Sequence, residues 1–211
     1  MRPSRRLRFI RSAGKDYDRR RALYDRFAIR LTSLLEEAVL KAGIKIHTIN
    51  KRTKTLDSFV KDLKKESRSA RSKGELERAL SRLTDQAGLR VITYLPTDIE
   101  KVGGVIEKEF NVIKKVDVGG DNPSFLGYRS VHFDVSLRDS RTRLLEYRVF
   151  KGLRAEIQVR TILQHAWAEI EHDIVYKSRK RPPKGAVHRF ATLSGLLEVE
   201  DREFQSIHDA S

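Results

Sequence analysis

The sequence predicts a mixed β-sheet flanked by helices, of the α/β (α+β) class. Three observations carry that reading. Residues 128–135 and 155–160 alternate polar and apolar side chains, the period of a half-buried strand, and residues 89–94 form a more continuously apolar strand. Stretches of helical periodicity stand between these runs, so strands and helices are interleaved along the chain. One pair of strands, residues 128–137 and the return that follows the turn Arg138-Asp139-Ser140-Arg141, is adjacent in sequence.

In order, the Arg-rich start, residues 1–12, is expected to be mobile. Leu23, Phe27, Leu31, Leu34, Leu35 and Ala38 then mark a helix from Asp16 onward, which Gly43 stops. Residues 44–49 alternate as a short strand. Lys51-Arg52-Thr53-Lys54 turns into a helix with Leu56, Phe59, Val60 and Leu63 inward. Residues 67–74 lack periodicity and read as a basic loop, and residues 75–83 as a short helix. After the strand that Gly88 opens, Pro96-Thr97-Asp98 begins a helix ending near Phe110 and tolerating Gly103-Gly104. A strand over residues 112–116 leads into a turn-rich loop, residues 117–127, of the kind that binds something.

Residues 155–160 are the centre of the reading. Ala155, Ile157 and Val159 face one way, and Glu156, Gln158 and Arg160 the other. The period then changes. Leu163, Ala166, Trp167, Ile170 and Ile174 predict an apolar helix face over residues 162–177, begun by a Thr161/Gln164 capping box. Its polar side carries His165, Glu169 and His172, whose spacing is not the His-Glu-x-x-His of a zinc site. Residues 178–185 read as a basic linker, and Phe190, Leu193, Leu196, Leu197 and Phe204 as a last amphipathic helix. The chain thus divides into a basic N-terminal segment and helix (1–43), a core (44–177), and a linker with a C-terminal helix (178–211).

Composition bounds the partners. Lys and Arg number 44 against 29 Asp and Glu, a net charge of +15 over 211 residues. The excess is concentrated: eleven Lys or Arg in residues 1–30, and ten in 45–73 against three acidic residues. Polyanions are the expected ligands, whether nucleotides, nucleic acid or an anionic surface. Cysteine is absent, which excludes disulfides and thiol catalysis. No apolar run approaches the ~18 residues of a membrane span, so a cytoplasmic location is expected.

Two local arrangements can carry chemistry. Arg52, Lys54, Ser58 and Lys61 gather cations and backbone N–H groups at a strand-to-helix turn, as a triphosphate requires. Asp85, at the mouth of an apolar strand, could be a turn residue or a Mg²⁺ ligand. Glu156 among cations could equally be part of a cross-strand ion-pair ladder.

Four motifs in order decide between these readings. Gly127-Tyr128-Arg129-Ser130-Val131-His132 resembles the Gly-Tyr-Arg-Ser-x-His signature of the RelA/SpoT alarmone synthetases. Asp85-Gln86-Ala87-Gly88-Leu89-Arg90 resembles that family's Asp-x-x-Gly-x-Arg. Glu156-Ile157-Gln158-Val159-Arg160-Thr161 and the helix after it resemble its catalytic strand and helix, and Arg52-x-Lys54 with Ser58 and Lys61 its ATP-binding pattern. The resemblance covers residues 45–200 and is to the small, synthetase-only branch.

It implies a nucleotidyltransferase-like synthetase fold that moves pyrophosphate from ATP to the ribose 3′-hydroxyl of GTP or GDP, making (p)ppGpp and releasing AMP. Asp85 and Glu156 would hold Mg²⁺, and Glu156 would position or deprotonate the attacking hydroxyl. Arg52, Lys54, Ser58, Lys61 and Arg90 would bind ATP. Tyr128 would stack on the acceptor base, with Arg129, His132, Gln158 and Arg160 also on the acceptor side. One departure is that residues 122–126 hold no Lys or Arg, where relatives often carry one. Two other functions compete: a toxin-type enzyme modifying the 3′ CCA end of tRNA, and a non-catalytic RNA- or nucleotide-binding module. Further expected partners are tRNA or the ribosome through the basic surface, a second copy of the chain, or an antitoxin, and no membrane.

Overall fold

The computed structural model describes residues 4–118, 129–177 and 185–211. A five-stranded sheet runs in the order β1-β2-β5-β4-β3, with β1 Ile46–Thr53, β2 Ala87–Thr93, β3 Phe110–Val118, β4 Ser130–Leu137 and β5 Ala155–Thr161. Only β2 and β5 are parallel, and the other neighbours are antiparallel. The fold is therefore the mixed, α+β arrangement that the sequence predicts. Among the described residues no helix is long and apolar enough to cross a membrane.

The alternation within the strands divides the sheet into two faces. Ala87, Leu89 and Val91 of β2 and Ala155, Ile157 and Val159 of β5 are almost fully buried. They pack with Phe133 and Val135 of β4 against two helices, α1 (Arg5–Lys41) and α4 (Pro96–Glu109). α1 contributes Phe27, Leu31, Leu35 and Val39, and α4 contributes Val102 and Ile106. Gly103 explains why glycine is tolerated inside α4: a Cβ there would stand 3.2 Å from the Phe133 ring.

α1 differs from its sequence reading. The helix begins at Arg5, eleven residues before the expected start at Asp16, and Ser4 caps it by accepting a hydrogen bond from the Leu7 N–H. Ile10 and Tyr17 supply the reason. They enter a second apolar cluster with Phe59, Leu63 and Leu83, in which the Tyr17 and Phe59 rings stack at 4.3 Å. The segment expected to be mobile is thus held by burial against α2 (Leu56–Glu66). Gly43, at φ +67°, ends the helix as expected.

Other boundaries shift as well. β1 runs to Thr53, so Arg52 lies on a strand and only Lys54 and Thr55 form the turn into α2. α3 (Lys73–Ser81) starts inside the expected loop, because Ser72 and Glu75 form a capping box. After β4, a four-residue helix α5 (Asp139–Thr142) and a 3₁₀ turn (Arg148–Phe150) return the chain to β5.

The helix after β5 is the main correction. α6 (Ile162–Glu171), with the expected Thr161/Gln164 capping box, continues as π-helix over His172–Lys177. Of its predicted apolar face only Trp167 is buried. Ala166 is exposed, and Ile170 and Ile174 are 55% and 45% exposed. The helix instead turns its polar side to the sheet, where Glu169 accepts from Arg90 of β2 at 2.7 Å. α7 (Ala186–Asp209) closes the end of the sheet through a buried bond from Thr161 Oγ1 to Asp201 Oδ2, 2.8 Å.

Candidate active site

Strand register lines up the polar face. Arg52 of β1 is opposite Gly88 of β2, Gly88 is opposite Glu156 of β5, and Glu156 is opposite Asp134 of β4. One step along, Asn50, Arg90, Gln158 and His132 form a second row across the same four strands. Neighbouring residues in register share a face, so the two rows lie side by side. Gly88 contributes no side chain between Arg52 and Glu156, and a cleft of about 130 Å³ opens there. Arg52, Asp85, Gly88, Arg90, Glu156 and Gln158 line it, together with Asn50, Lys51 and Leu89.

Glu156 is held on both oxygens. His132 Nδ1 lies 3.0 Å from Oε1, and Gln158 Nε2 donates to Oε2 at 2.7 Å. His132 Nε2 in turn lies 2.5 Å from Ser130 Oγ, and Arg160 donates to Gln158 Oε1 at 2.9 Å. With Nδ1 donating to the carboxylate, Nε2 is left to pair with the Ser130 hydroxyl. Burial works to raise the Glu156 carboxyl, but the His132 bond and charge, the Gln158 amide and the Lys54 charge outweigh it. Its pKa falls below the ordinary 4.5, so the carboxylate is ionised at neutral pH. Asp134, beside it in register, is paired with Arg154.

The other carboxylate, Asp85, pairs with Lys54. That lysine is only 4% exposed and also reaches Asp62 Oδ2 at 2.6 Å. Tyr17 fixes the same turn by donating its hydroxyl to the Lys54 carbonyl at 2.6 Å. Burial pushes the Tyr17 phenol up to about 12, so it remains a donor at any working pH.

Among the cations, Arg160 is 6% exposed. Burial, then the neighbouring Arg90, lower it to about 10, which leaves it charged at neutral pH. His165 is pushed down by burial and by Arg160 and Arg90, which favours its neutral form.

The expected site residues therefore separate into groups. Asp85, Glu156, Arg52, Arg90 and Gln158 meet at one cleft, with His132 and Arg160 bound into the Glu156 network. Ser58 and Lys61 stand on α2 outside the lining. The Ser58 N–H donates to Thr55 Oγ1 at 3.2 Å as part of the helix cap, and Lys61 is exposed. Arg129 is an exposed residue just before β4, and Tyr128 lies outside the described residues, as does most of the 117–127 loop.

Sequence reasoning missed Tyr17, Asp62 and Ser130, each of which acts on a site residue through a contact. Neither Tyr17 nor Asp62 sits in a motif. Ser130 does, and its place two residues before His132 on one strand face was the available signal.

For Mg²⁺ the relevant test is the donor set. Two carboxylates reach the cleft, and among the described residues no group of three or more His, Cys, Asp or Glu could hold a metal ion. Mg²⁺ is commonly held by one or two carboxylates, with substrate phosphates and waters completing the shell. The residues present fit that ion.

The chain is similar to known proteins in both sequence and fold. The sequence model described as "Region found in RelA / SpoT proteins" matches residues 51–181. The chain is 33% identical over 157 residues to the GTP pyrophosphokinase YwaC of Bacillus subtilis, covering 74% of this chain and 70% of that protein. Its structure is similar to the small alarmone synthetase 1 of Bacillus subtilis, with a TM-score of 0.73, 26% identity, and coverage of 92% and 97% of the two chains. A GTP pyrophosphokinase family protein of Streptococcus pneumoniae gives a TM-score of 0.70 at 25% identity, over 89% of this chain and 90% of that one.

Proposed function

The chain belongs to the RelA/SpoT family, and from that premise we infer that it is a small, synthetase-only GTP pyrophosphokinase acting in the cytoplasm. It transfers pyrophosphate from ATP to the ribose 3′-hydroxyl of GTP or GDP and makes (p)ppGpp. The observation that carries the site assignment is the place of Glu156 in the sheet. To one side, on β1 and β2, stand Arg52 and Arg90, assigned to ATP. To the other, on β4, stands His132, assigned to the acceptor. The base lies between the two substrates it must join.

The reaction balances as follows. The acceptor 3′-oxygen attacks the β-phosphorus of ATP. The bond from that phosphorus to the α,β-bridging oxygen breaks, and AMP leaves with that oxygen. The acceptor proton goes to Glu156, whose lowered pKa keeps it ready as an acceptor, and whose orientation His132 and Gln158 fix. Arg52 and Arg90 neutralise the transferred phosphates, and Arg90 must share or release Glu169 to do so. Lys54 holds Asp85 and α2 together at the ATP end, through Asp62, with Ser58 one helical turn before Asp62 and Lys61 next to it in sequence. Arg160 acts through Gln158, and Tyr128 and Arg129 complete the acceptor side. Asp85 and Glu156 would hold Mg²⁺, which would supply charge neutralisation for the transferred phosphates.

The test is to supply the chain with ATP labelled in its β- and γ-phosphates, together with GTP, GDP and deacylated tRNA. Label in a guanine nucleotide with stoichiometric AMP is expected. Label confined to tRNA would replace the acceptor, and no AMP at all would leave a binding module.

A further inference from the structure

The first helix carries a second charged surface, remote from the cleft. The residues α1 buries, among them Ile10, Tyr17, Ala28, Leu31 and Leu35, lie on one side of the helix, toward α2 and the apolar face of the sheet. At about 100° per residue, Arg8, Lys15, Arg19, Arg26 and Arg30 fall on the opposite side, and all five are exposed. Their spacings of 7, 4, 7 and 4 residues set them in a nearly straight row, about 33 Å long at 1.5 Å per residue. Arg5 and Arg11 flank the row within an arc of roughly 120°. Of these seven cations six are Arg, whose planar fork matches phosphate oxygens. Arg19 also pairs with Asp16 at 3.0 Å.

The pyrophosphate reaction has no use for this row. It points away from the sheet face opposite the one that bears Glu156, and it is far longer than one nucleotide. We propose that the outer face of α1 docks the phosphate backbone of duplex RNA, independently of the synthetase reading.

The chemistry of the face selects that ligand. A membrane would need apolar side chains to insert, and between residues 5 and 30 the outer arc offers only Ala22, Ile29 and, at its edge, Leu23, which packs against the core. Single strands are held by stacking on aromatic side chains, but Tyr17 and Phe27 are buried, and Phe9 and Tyr24 are partly buried on the inner side. α1 contains no Asn or Gln to read base edges. The deep, narrow major groove of A-form RNA would in any case admit no helix. What remains is contact with regularly spaced phosphates, the way A-form RNA is recognised by shape rather than by sequence.

The test measures binding of the full chain to a labelled RNA duplex of about 20 base pairs across a salt series. Replacing Arg8, Arg19, Arg26 and Arg30 together by Gln should weaken binding at least tenfold. It should also flatten the slope of log K against log salt by about 3 to 4, with AMP formation from ATP and GTP unchanged. Replacing Lys108, Lys114, Arg143 and Lys151 by Gln removes the same charge elsewhere on the surface and should change binding less than twofold. Equal losses in the two variants, or wild-type binding in the first, would overturn the proposal. So would tighter binding of the wild-type chain to a DNA duplex of the same sequence or to vesicles of anionic phospholipid.

Discussion

Strand β5 presents two surfaces that differ in almost every physical respect. Ala155, Ile157 and Val159 are shut into a core with α1 and α4 and make no use of polarity. Glu156, Gln158 and Arg160, between them, are joined into one hydrogen-bonded chain with His132 and Ser130. The apolar face depends on volume, because close packing makes each lost methylene costly. The polar face depends on position, because a carboxylate must meet a particular oxygen. One strand therefore supplies stability on one side and chemistry on the other, and a substitution on either side should show chiefly in one measurement.

The largest departure from that rule, if the rule is wrong, would come at Glu156. Glu156→Gln keeps the acceptor oxygen for His132 and removes the base, and AMP formation is expected to fall by about 10²–10⁴-fold. Turnover within tenfold of wild type would move the base elsewhere. Asp85→Asn is next, with an expected loss of about 10²-fold or more that raised Mg²⁺ partly restores, which is the mark of a weakened metal site. If added Mg²⁺ has no effect, the role of Asp85 is to anchor Lys54 rather than to hold metal.

Gly88→Leu sharpens the comparison, since it adds volume to the polar face. It should fill the cleft between Arg52 and Glu156 and raise the KM for ATP about tenfold or more, while calorimetry shows little loss of stability. Tyr17→Phe, at the edge between the two regimes, removes the bond to the Lys54 carbonyl and should lower stability by about 1 kcal/mol in urea unfolding. An unchanged midpoint would show that the turn is held without it.

The smallest effect concerns pH. A carboxyl with a lowered folded pKa contributes stability that is present above its unfolded value, here 4.5, and is lost as pH falls through the lower folded value. Stability between pH 5 and 3 should therefore decline less steeply in Glu156→Gln than in wild type. Parallel curves would mean that His132 and Gln158 do not stabilise the charge.

The sequence revealed the apolar half of this comparison more fully than the polar half, and the reason is physical. Periodicity reports which residues leave water, so the strand alternation at 155–160 and the helix through Leu31 and Leu35 could be read directly. It misled at α6, where an apolar stripe through Ala166, Ile170 and Ile174 is exposed. There the contacts that seat the helix are long-range: Arg90 with Glu169, 79 residues apart, and the Trp167 N–H with the Phe190 carbonyl of α7. The burial of Lys54 between Asp62 and Asp85 is also a long-range fact that no local pattern encodes. By contrast, the early start of α1 had local signals in the Ser4 cap and the Ile10 and Tyr17 spacing, as α3 had in Ser72-x-x-Glu75. Motif resemblance assembled Asp85, Arg90 and Glu156, and strand register then supplied the order Arg52, Gly88, Glu156 that makes them a site.

The most direct test of the division sets two neighbours side by side. Thermal unfolding and AMP formation are measured for Glu156→Gln and Ile157→Ala in the same buffer. The expected result is a crossed pattern. Glu156→Gln loses turnover and melts within a few degrees of wild type. Ile157→Ala loses about 2–5 kcal/mol of stability and, while folded, retains most of its turnover. If Glu156→Gln instead melts as early as Ile157→Ala, the polar row is part of the scaffold, and the assignment of chemistry to that face is wrong.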